Sequence, residues 1–377
     1  MNVAFCCIKN IYYGGGIERY TLELGQRLAQ RGHTVTVYSM RHYGEVPSIV
    51  QGMHIVGTLS TRWKNSEKLT ACASAAVRTL VDPKVDIVHF HALSSGWAAC
   101  ISKLRRQKCV LQSHGVALRY SKWGTLGSQL IRALERMAVL HCDAITCVSN
   151  TQVQYYLRRY GKRAVYIPCG VSLSDKVEPS EILTLGLSPA AYLLSVGRIS
   201  REKGFHYLIS AFRRLRTDLK LVLAGGVSDT KYMEQLREVA CGDRRIEFLG
   251  MVQGRLLAEL LSNAAIYVQP SELEGMSLAL LEAMGYGNCC LVSNIPENLE
   301  VIGPAGFTFE SRNANSLYER LNWLVEHPSV ACAVGLQARE CVKSRFSWEC
   351  VTDQMENLYL SLVNGQGSQR TSGGLNV

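Results

Sequence analysis

Residues 264–284 read Ala-Ala-Ile-Tyr-Val-Gln-Pro-Ser-Glu-Leu-Glu-Gly-Met-Ser-Leu-Ala-Leu-Leu-Glu-Ala-Met, which predicts a strand, a turn and a helix in that order. The β-branched and aromatic residues at 264–268 are typical of a strand, and Pro270 ends it. The run from Ser277 to Met284 has helix-forming composition. A strand followed at once by a helix is the repeating unit of a parallel α/β sheet.

The same alternation of short apolar strands and amphipathic stretches runs along most of the chain. In the first half we predict strands near 3–8, 34–40, 86–91, 109–113, 144–149 and 164–168. In the second half they fall near 192–197, 219–224, 245–249, 264–269, 289–293 and 306–309. Each set has six members with helices between them. The sequence therefore predicts two doubly wound, Rossmann-like α/β domains, each with a ligand crevice at the carboxyl ends of its strands.

The boundary between these domains is expected between Pro168 and Pro189, where polar residues interrupt the apolar pattern. We place the first domain at residues 1–170 and the second at 171–346. A last helix, at about 347–363, is a candidate to pack back onto the first domain. The polar, glycine-rich residues 364–377 predict a disordered tail.

Composition is typical of a globular protein. The chain has 377 residues, 47% of them hydrophobic and 19% charged, enough for two sizeable cores. No apolar run approaches the ~20 residues that a membrane span needs. A strand begins directly after Met1 without a basic leader, and the 14 cysteines lie mostly in apolar strands, as buried free thiols do. We therefore expect a cytoplasmic protein.

Charge is distributed unevenly. Residues 1–170 contain 22 lysines and arginines against 8 aspartates and glutamates, whereas residues 171–377 contain 19 against 23. A basic half predicts an anionic partner, either a membrane surface, a nucleic acid or a phosphorylated substrate. Aromatic residues do not interleave with the basic ones as in nucleic-acid modules, so no nucleic acid is expected. Arg119, Lys122 and Trp123 suit an anionic membrane surface, or belong to an ordinary amphipathic helix covering the sheet.

An anion site is predicted in the quoted stretch. Glu274 falls in the turn, Gly275 allows close approach of a ligand, and the N–H groups of Met276, Ser277 and Leu278 are expected at a helix N-terminus, which binds phosphate. At a rise of about 1.5 Å per residue, Glu282 lies roughly 10–12 Å from Glu274, about the reach of a sugar–diphosphate–ribose ligand. The alternative is two glutamates that merely favour the helix dipole.

Two cations follow the first strand of the second domain. Arg198 and Lys203 stand in Ser195-Val-Gly-Arg-Ile-Ser-Arg-Glu-Lys-Gly204. Arginine offers a bidentate fork and lysine a point charge, so the pair is able to neutralise a diphosphate. A solvated loop that happens to carry charges is the alternative.

The first domain has its own crevice residues. Gly14, Gly15 and Gly16 follow its first strand and bring backbone N–H groups towards an anion. They are not the dinucleotide fingerprint, because no third glycine follows at the required offset and no acidic residue ends the second strand. That counts against a nicotinamide dehydrogenase. His114 closes the fourth strand of the predicted set and is expected to point into the same crevice.

Taken in order, these motifs resemble family 4 glycosyltransferases over about residues 3–362. The residues that carry the resemblance are Gly14–Glu18, Asp86–His91, Ser113–Gly115, Val148–Asn150, Ile167–Val171, Gly197–Arg198, Lys203–Gly204, Glu274 and Glu282. The resemblance implies the GT-B architecture, with two facing Rossmann-like domains and a central cleft. It also implies a retaining transfer of sugar from a nucleotide diphosphate without an obligatory metal or other cofactor.

The resemblance also implies roles for single residues. Arg198 and Lys203 would hold the diphosphate and Glu282 the ribose. Glu274 and His114 would contact the donor sugar, near Gly15 and Gly16. Acceptor-side candidates in the basic domain are Glu18, Arg119 and Lys122. The chain departs from the family at Cys169-Gly-Val-Ser172, where Asn-Gly-Val-Asp is common, so the hinge lacks two polar side chains.

From these observations we expect a retaining hexosyltransferase that uses a UDP- or GDP-linked sugar. Its acceptor would be a glycan, a lipid-linked sugar or another hydroxyl compound in cell-surface polysaccharide, lipopolysaccharide or glycolipid assembly. The enzyme would work in the cytoplasm, peripheral on the inner face of the membrane. A sugar-nucleotide epimerase, a sugar phosphorylase and a non-catalytic nucleotide-binding protein are the alternatives.

Overall fold

A computed structural model describes residues 1–12, 15–45, 47–63, 66–93, 95–115, 125–173 and 175–365. The chain divides into two compact units. Unit 1 contains the residues up to Cys169 together with the segment from Trp348 onward, and unit 2 runs from Gly170 to Ser347. Most of the predicted tail, residues 366–377, lies outside the described residues.

Unit 1 is built on an eight-stranded sheet. Its strands are β1 (Asn2–Ile8), β2 (Thr34–Met40), β3 (Ile49–Val50), β4 (Met53–Thr58), β5 (Ile87–His91), β6 (Lys108–Ser113), β7 (Ala144–Cys147) and β8 (Val165–Tyr166). Their order is β3-β4-β2-β1-β5-β6-β7-β8, parallel throughout except for the β3–β4 pair. The strand order reverses between β1 and β5, which is the topological switch point where α/β sheets bind ligands.

Unit 2 carries a six-stranded, wholly parallel sheet. Its strands are β9 (Tyr192–Val196), β10 (Lys220–Ala224), β11 (Ile246–Gly250), β12 (Ile266–Gln269), β13 (Cys289–Ser293) and β14 (Phe307–Phe309). The order β11-β10-β9-β12-β13-β14 puts the switch point between β9 and β12. The two sheets confirm the prediction of two Rossmann-like α/β domains.

Helices connect the strands in both units. They are α1 (Gly16–Gln30), α2 (Glu67–Val81), α3 (Ala99–Ser102), α4 (Thr125–His141), α5 (Asn150–Tyr160), α6 (Glu181–Thr184), α7 (Phe205–Phe212), α8 (Thr230–Ala240), α9 (Gly254–Asn263), α10 (Leu278–Gly285), α11 (Pro296–Ile302), α12 (Ala314–Glu326), α13 (Pro328–Arg345) and α14 (Trp348–Val363). Short 3-10 turns are present at Arg41–Tyr43, Gly96–Ala98, Lys103–Arg105 and Arg201–Lys203. Buried apolar residues of strands and helices pack together in each unit, so each unit has its own core.

The last helix, α14, packs within unit 1. Arg31, the C-cap of α1, reaches Asp353 at 2.6 Å and Glu356 at 2.7 Å, and the ring of Trp348 lies 5.4 Å from that of Tyr20. Across the helix, the hydroxyl of Tyr359 forms a hydrogen bond with Nδ1 of His89 in β5. The helix therefore covers unit 1 with both charged and buried contacts.

The sequence prediction missed two strands of unit 1. Strands β3 and β4 were not predicted, so the sheet has eight strands and not six. The exposed His54 and the glycine at 57 interrupt the apolar pattern of β4, and such interruptions are typical of strands near a sheet edge. Pairing with β2 along Thr36–Met40, and not local composition, holds β4 in place.

Candidate functional site

Two loops meet at the switch point of unit 2. Residues 197–203 follow β9, and residues 270–277 follow β12. Because neighbouring parallel strands end at the same sheet edge, both loops open on the same side. The stretches that the sequence analysis singled out separately therefore share one edge.

These two loops are tied together through their backbones. The N–H of Glu272 donates a hydrogen bond to the carbonyl of Glu202 at 2.8 Å. Gly204 adopts a φ of +67°, and a Cβ placed there would lie 2.1 Å from the carbonyl oxygen of Pro270. Only glycine satisfies both the left-handed backbone and this close approach. The loops thus form a unit whose geometry is set before any ligand arrives.

Lys203 and Glu274 form an ion pair across these loops. Lys203 Nζ lies 2.5 Å from Glu274 Oε1, and the Ser271 hydroxyl donates to the same oxygen at 2.6 Å. Their side chains are only 17% and 7% exposed. A carboxylate this buried needs a cation and hydrogen bonds to offset its lost hydration. The sequence analysis assigned the two groups to different parts of a ligand, and the structure places them in direct contact.

Arg198 behaves differently from Lys203. Its side chain is 57% exposed, and its Nη2 is 3.7 Å from Glu202 Oε1. Such a long contact at an exposed site contributes little to stability. The guanidinium is therefore available to an anion at the carboxyl end of β9.

Helix α10 begins at the same edge. Ser277 is its N-cap, and the Ser277 hydroxyl oxygen accepts from the N–H of Leu280 at 3.3 Å. The N–H groups of Leu278 and Ala279 come first in the helix and have no intrahelical acceptor. Ser277 caps the helix and Met276 comes directly before the cap, so both residues adjoin the first helical residue, Leu278. Gly275 also lies in the turn that precedes the helix.

Glu282 lies one turn into α10 and is buried, with 9% of its surface exposed. Burial is the main cause that raises the pKa of Tyr267 in β12, and Cys290, Glu274 and Glu282 raise it further. Both glutamates are therefore within electrostatic reach of one tyrosine. The switch point of unit 2 thus combines two cations, two carboxylates and a helix N-terminus.

The switch point of unit 1 starts from α1. Gly15 is the N-cap of this helix and Gly16 its first residue, whereas Gly14 lies outside the described residues. Glu18 in the first turn is 6% exposed and accepts a hydrogen bond from the N–H of Lys9 at 3.3 Å. The carboxylate therefore holds the chain that leaves β1.

His114 follows β6 at the same edge of unit 1. Its Nε2 is 3.0 Å from Nδ1 of His91, and its ring meets the edge of Tyr20 with 5.2 Å between centroids. Burial, together with the positive charge of Lys68, lowers the pKa of His114 to about 3. Burial also lowers the pKa of His91 well below its ordinary value. Both imidazoles are therefore neutral near pH 7.

Of the acceptor-side candidates, Arg119 and Lys122 lie outside the described residues. Beyond them along the chain, a surface cavity of about 680 Å³ is bordered by Arg132, Arg136 and Arg159 together with Tyr160. The cavity carries three cations, and Leu140 beside it is 69% exposed. Part of the basic character that composition indicated thus lies on α4 and α5.

Sequence reasoning missed three residues that support the predicted ones. Ser271 donates a hydrogen bond to Glu274. Thr21 is hydrogen-bonded to His91, and His91 to His114. The His89–His91 spacing puts both side chains on one face of a strand, and this is the signal from which His91 could have been found. A threonine inside α1 carries no such signal, because its partner lies 70 residues away.

Two features are absent from the described part of the chain. None of its helices combines the length and the apolar character needed to cross a membrane. Nor do three or more of its histidine, cysteine, aspartate or glutamate side chains come together in a way that would hold a metal ion.

Two Rossmann-like units with charged switch points define a two-domain, doubly wound class of α/β protein. Comparison with known families specifies it further. The sequence model described as Glycosyltransferase Family 4 matches residues 14–175, and that described as Glycosyl transferases group 1 matches residues 187–340. The chain belongs to the family 4 glycosyltransferases and has the GT-B fold, which confirms the resemblance seen in the sequence.

Individual relatives agree with this assignment. Alpha-maltose-1-phosphate synthase of Mycobacterium tuberculosis is 29% identical over 310 residues, covering 72% of this chain and 78% of the relative. Sucrose-phosphate synthase from Thermosynechococcus elongatus superimposes with a TM-score of 0.83 at 23% identity, over 97% of this chain and all of that one. HepE of Anabaena, solved with UDP and glucose, gives 0.80 at 16% identity over 96% and 100% of the two chains.

Proposed function

We propose that this glycosyltransferase moves a hexose-type sugar, with retention of configuration, from a UDP- or GDP-linked donor to a hydroxyl acceptor. One observation carries the proposal: Arg198, the Lys203–Glu274 pair and the start of α10 share one edge of unit 2. Family membership supports the reaction class. The solved relative that holds UDP and glucose supports a nucleotide of this kind.

In the proposed donor site each group has a role suited to its chemistry. Arg198 and the first N–H groups of α10 bind the diphosphate, because a guanidinium and a helix N-terminus both favour anions. Glu282 accepts hydrogen bonds from the ribose hydroxyls. Glu274 accepts from hydroxyls of the donor sugar, while Lys203 offsets its charge and adds a cation beside the phosphates.

The proposed reaction needs little covalent work from the protein. The bond between the sugar and the diphosphate breaks with its electron pair on the diphosphate. The oxygen of the acceptor hydroxyl forms the new bond to the sugar, and its proton passes to the departing diphosphate. Negative charge develops on the departing phosphate, which in the proposed site lies beside Arg198, Lys203 and the helix end. Such preorganised charges stabilise a transition state without reorganising. We propose that they act here without a divalent metal.

We propose that unit 1 holds the acceptor. Its strong positive balance suits a phosphorylated or lipid-linked glycan, as in lipopolysaccharide or other surface-polysaccharide assembly. The arginines around the cavity on α4 and α5 suit the anionic inner face of a membrane, where the enzyme would be peripheral. His114 would contact the donor sugar from this unit.

The test of the donor site is a thermal-shift panel of UDP, GDP, ADP and dTDP, each with and without its common sugars. Binding at 100 times Kd stabilises by about 2.7 kcal/mol, which moves a melting midpoint by a few degrees. We expect a response selective for one nucleotide diphosphate. A folded protein that ignores the whole panel would contradict the proposal.

Product analysis then separates transfer from other reactions of the bound sugar nucleotide. A transferase consumes the donor only when an acceptor hydroxyl is supplied, apart from slow hydrolysis. An epimerase converts the donor alone, and a phosphorylase works with phosphate alone. Co-sedimentation with anionic vesicles at low salt tests the membrane part of the proposal, and neutral vesicles are the control.

A further inference from the structure

Thr21, His91 and His114 form a hydrogen-bonded series at the switch point of unit 1. Thr21 Oγ1 lies 3.1 Å from Nε2 of His91, and His91 Nδ1 lies 3.0 Å from Nε2 of His114. Thr21 and His91 are fully buried. The series links the interior of α1 to the histidine that follows β6.

The hydroxyl of Thr21 determines which atom donates and which accepts in each hydrogen bond of this series. It has one hydrogen, and Oγ1 lies 2.9 Å from the carbonyl oxygen of Ile17, which can only accept. If the hydrogen turned away, two oxygens would face each other at that distance with no hydrogen between them. Thr21 therefore donates to Ile17 and accepts from His91, so the proton of His91 is on Nε2.

The other proton positions follow from the chemistry of a neutral imidazole, which has one N–H and one nitrogen without a hydrogen. Burial lowers the pKa of His91 well below its ordinary value, so the ring is neutral and its Nδ1 accepts. The donor to Nδ1 is then the Nε2–H of His114. Since His114 is also neutral, its Nδ1 is left with a lone pair and no hydrogen.

We propose that Thr21 and His91 are positioning residues that hold His114 in its Nε2–H form, so that Nδ1 accepts a hydrogen bond from a substrate hydroxyl. The tautomer follows from the contacts and the burial described above and does not depend on the proposed function. That the hydroxyl belongs to a sugar rests on the proposed function. A site built to accept this bond discriminates against an analogue that carries hydrogen or fluorine in place of the hydroxyl.

The direct test is the protonation state of His114 in the full chain. Nitrogen-15 labelling of histidine and two-dimensional NMR distinguish the two tautomers from each other and from the imidazolium, and His114→Gln assigns the signal. At pH 7 we expect the Nε2–H form with a bare Nδ1. A protonated Nδ1, in either the other tautomer or the imidazolium, would overturn the inference.

Paired variants test the two positioning residues. Thr21→Ser keeps the hydroxyl, and His91→Asn keeps an acceptor where Nδ1 stood, so both should retain the tautomer and most of kcat. Thr21→Val and His91→Phe remove the acceptor and should lower kcat by roughly 10–100-fold, as loss of an orienting partner does. Nucleotide affinity in the thermal-shift assay should be unchanged. Equal activity of the Ser and Val variants, with the tautomer retained in both, would refute the role of Thr21.

A matched control exists on α14. Thr352 is also fully buried in unit 1, and its hydroxyl donates to the carbonyl of Trp348 at 2.7 Å, the same i−4 bond that Thr21 makes. Thr352→Val should affect stability alone and leave both the tautomer and kcat unchanged. An equal loss of kcat in Thr352→Val and Thr21→Val would show a general packing effect and overturn the positioning role.

Failure of this inference is distinguishable from failure of the proposed function. A protein that ignores every nucleotide diphosphate but shows the Nε2–H form contradicts the donor site only. A protein that transfers sugar but has Nδ1 of His114 protonated contradicts this inference only.

Discussion

Lys203 Nζ lies 2.5 Å from Glu274 Oε1, and the pair joins the loop after β9 to the loop after β12. The partners are 71 residues apart in sequence. Because both side chains are mostly buried, each offsets the cost of burying the other's charge. The pair therefore holds a carboxylate and a cation in fixed positions at the switch point, whether or not a ligand is present.

The first prediction concerns loss of the cation. Lys203→Met leaves Glu274 buried without its partner, so we expect the free energy of unfolding to fall by about 3–5 kcal/mol. We expect kcat to fall by roughly 10²–10³, the scale for removing one preorganised group that stabilises charge in the transition state. Urea unfolding and steady-state kinetics measure the two effects. A double variant, Lys203→Met with Glu274→Gln, should recover stability but not turnover.

Lys220 is the control for this variant. It pairs with Glu247 at 3.4 Å and lies at the amino end of β10, at the sheet edge opposite the site. Lys220→Met should cost less than about 1 kcal/mol, as exposed ion pairs do, and should leave turnover unchanged. Equal turnover in Lys203→Met and Lys220→Met would remove Lys203 from the proposed mechanism.

A second prediction uses two glycines with the same backbone conformation. Gly204 and Gly242 have φ of +67° and +69°, but only Gly204 faces another backbone, the carbonyl of Pro270. Gly242→Ala should cost about 1–2 kcal/mol, the price of a left-handed non-glycine residue. Gly204→Ala should cost more and also weaken nucleotide binding, because the two loops must separate. Equal melting temperatures for the two variants would contradict the close contact.

A third prediction concerns the exposed cation. Arg198→Ala should leave the melting temperature of the free protein nearly unchanged, since the side chain is 57% exposed. Affinity for the preferred nucleotide diphosphate should fall by at least about tenfold, while the weak affinity for the nucleoside should not change. Arg201→Ala, a neighbouring exposed arginine whose side chain bonds Gln235 at 3.4 Å, is the control. A matching loss in both variants would indicate general electrostatics and not a phosphate contact.

Most of the fold was predictable because its strands are short apolar runs with glycine or proline after them. Strands β9 and β12 and helix α10 are examples, and their ends were placed within two residues. Strand β4 was not predicted because the polar His54 and a glycine interrupt its apolar pattern. Only its long-range pairing with β2 identifies it. Helix α10 begins one residue after the start of the predicted run, because Ser277 is its cap and Leu278 its first helical residue.

The candidate site was predictable as a set of residues but not as a set of contacts. Topology brings the ends of β9 and β12 to one edge, so the sequence already grouped Lys203 with Glu274. Whether two such groups touch each other or separate parts of a ligand depends on loop geometry that no local pattern encodes. The same holds for Thr21 and His91, whose alignment needs the packing of α1 on β5.

The fourth prediction follows from the buried histidines of unit 1. Burial lowers the pKa of His89 and His114 to about 3, from an ordinary value of 6.5. Between these pKa values the unfolded chain binds protons that the folded chain excludes. The contribution of these two histidines to the free energy of unfolding is therefore greatest above pH 6.5 and falls as the pH falls towards 3. Each histidine contributes at most about 1.4 kcal/mol per pH unit to this fall in the free energy of unfolding.

The variant His114→Gln isolates one of these contributions. Between pH 6 and pH 4.5 the free energy of unfolding should fall more gently in this variant than in the parent, by up to about 1.4 kcal/mol per pH unit. His54→Gln changes an exposed histidine of β4 and should keep the parent's slope. Urea unfolding at several pH values measures the slopes. Identical slopes for all three proteins would mean that His114 is hydrated in the folded state, and the argument from its burial would fail.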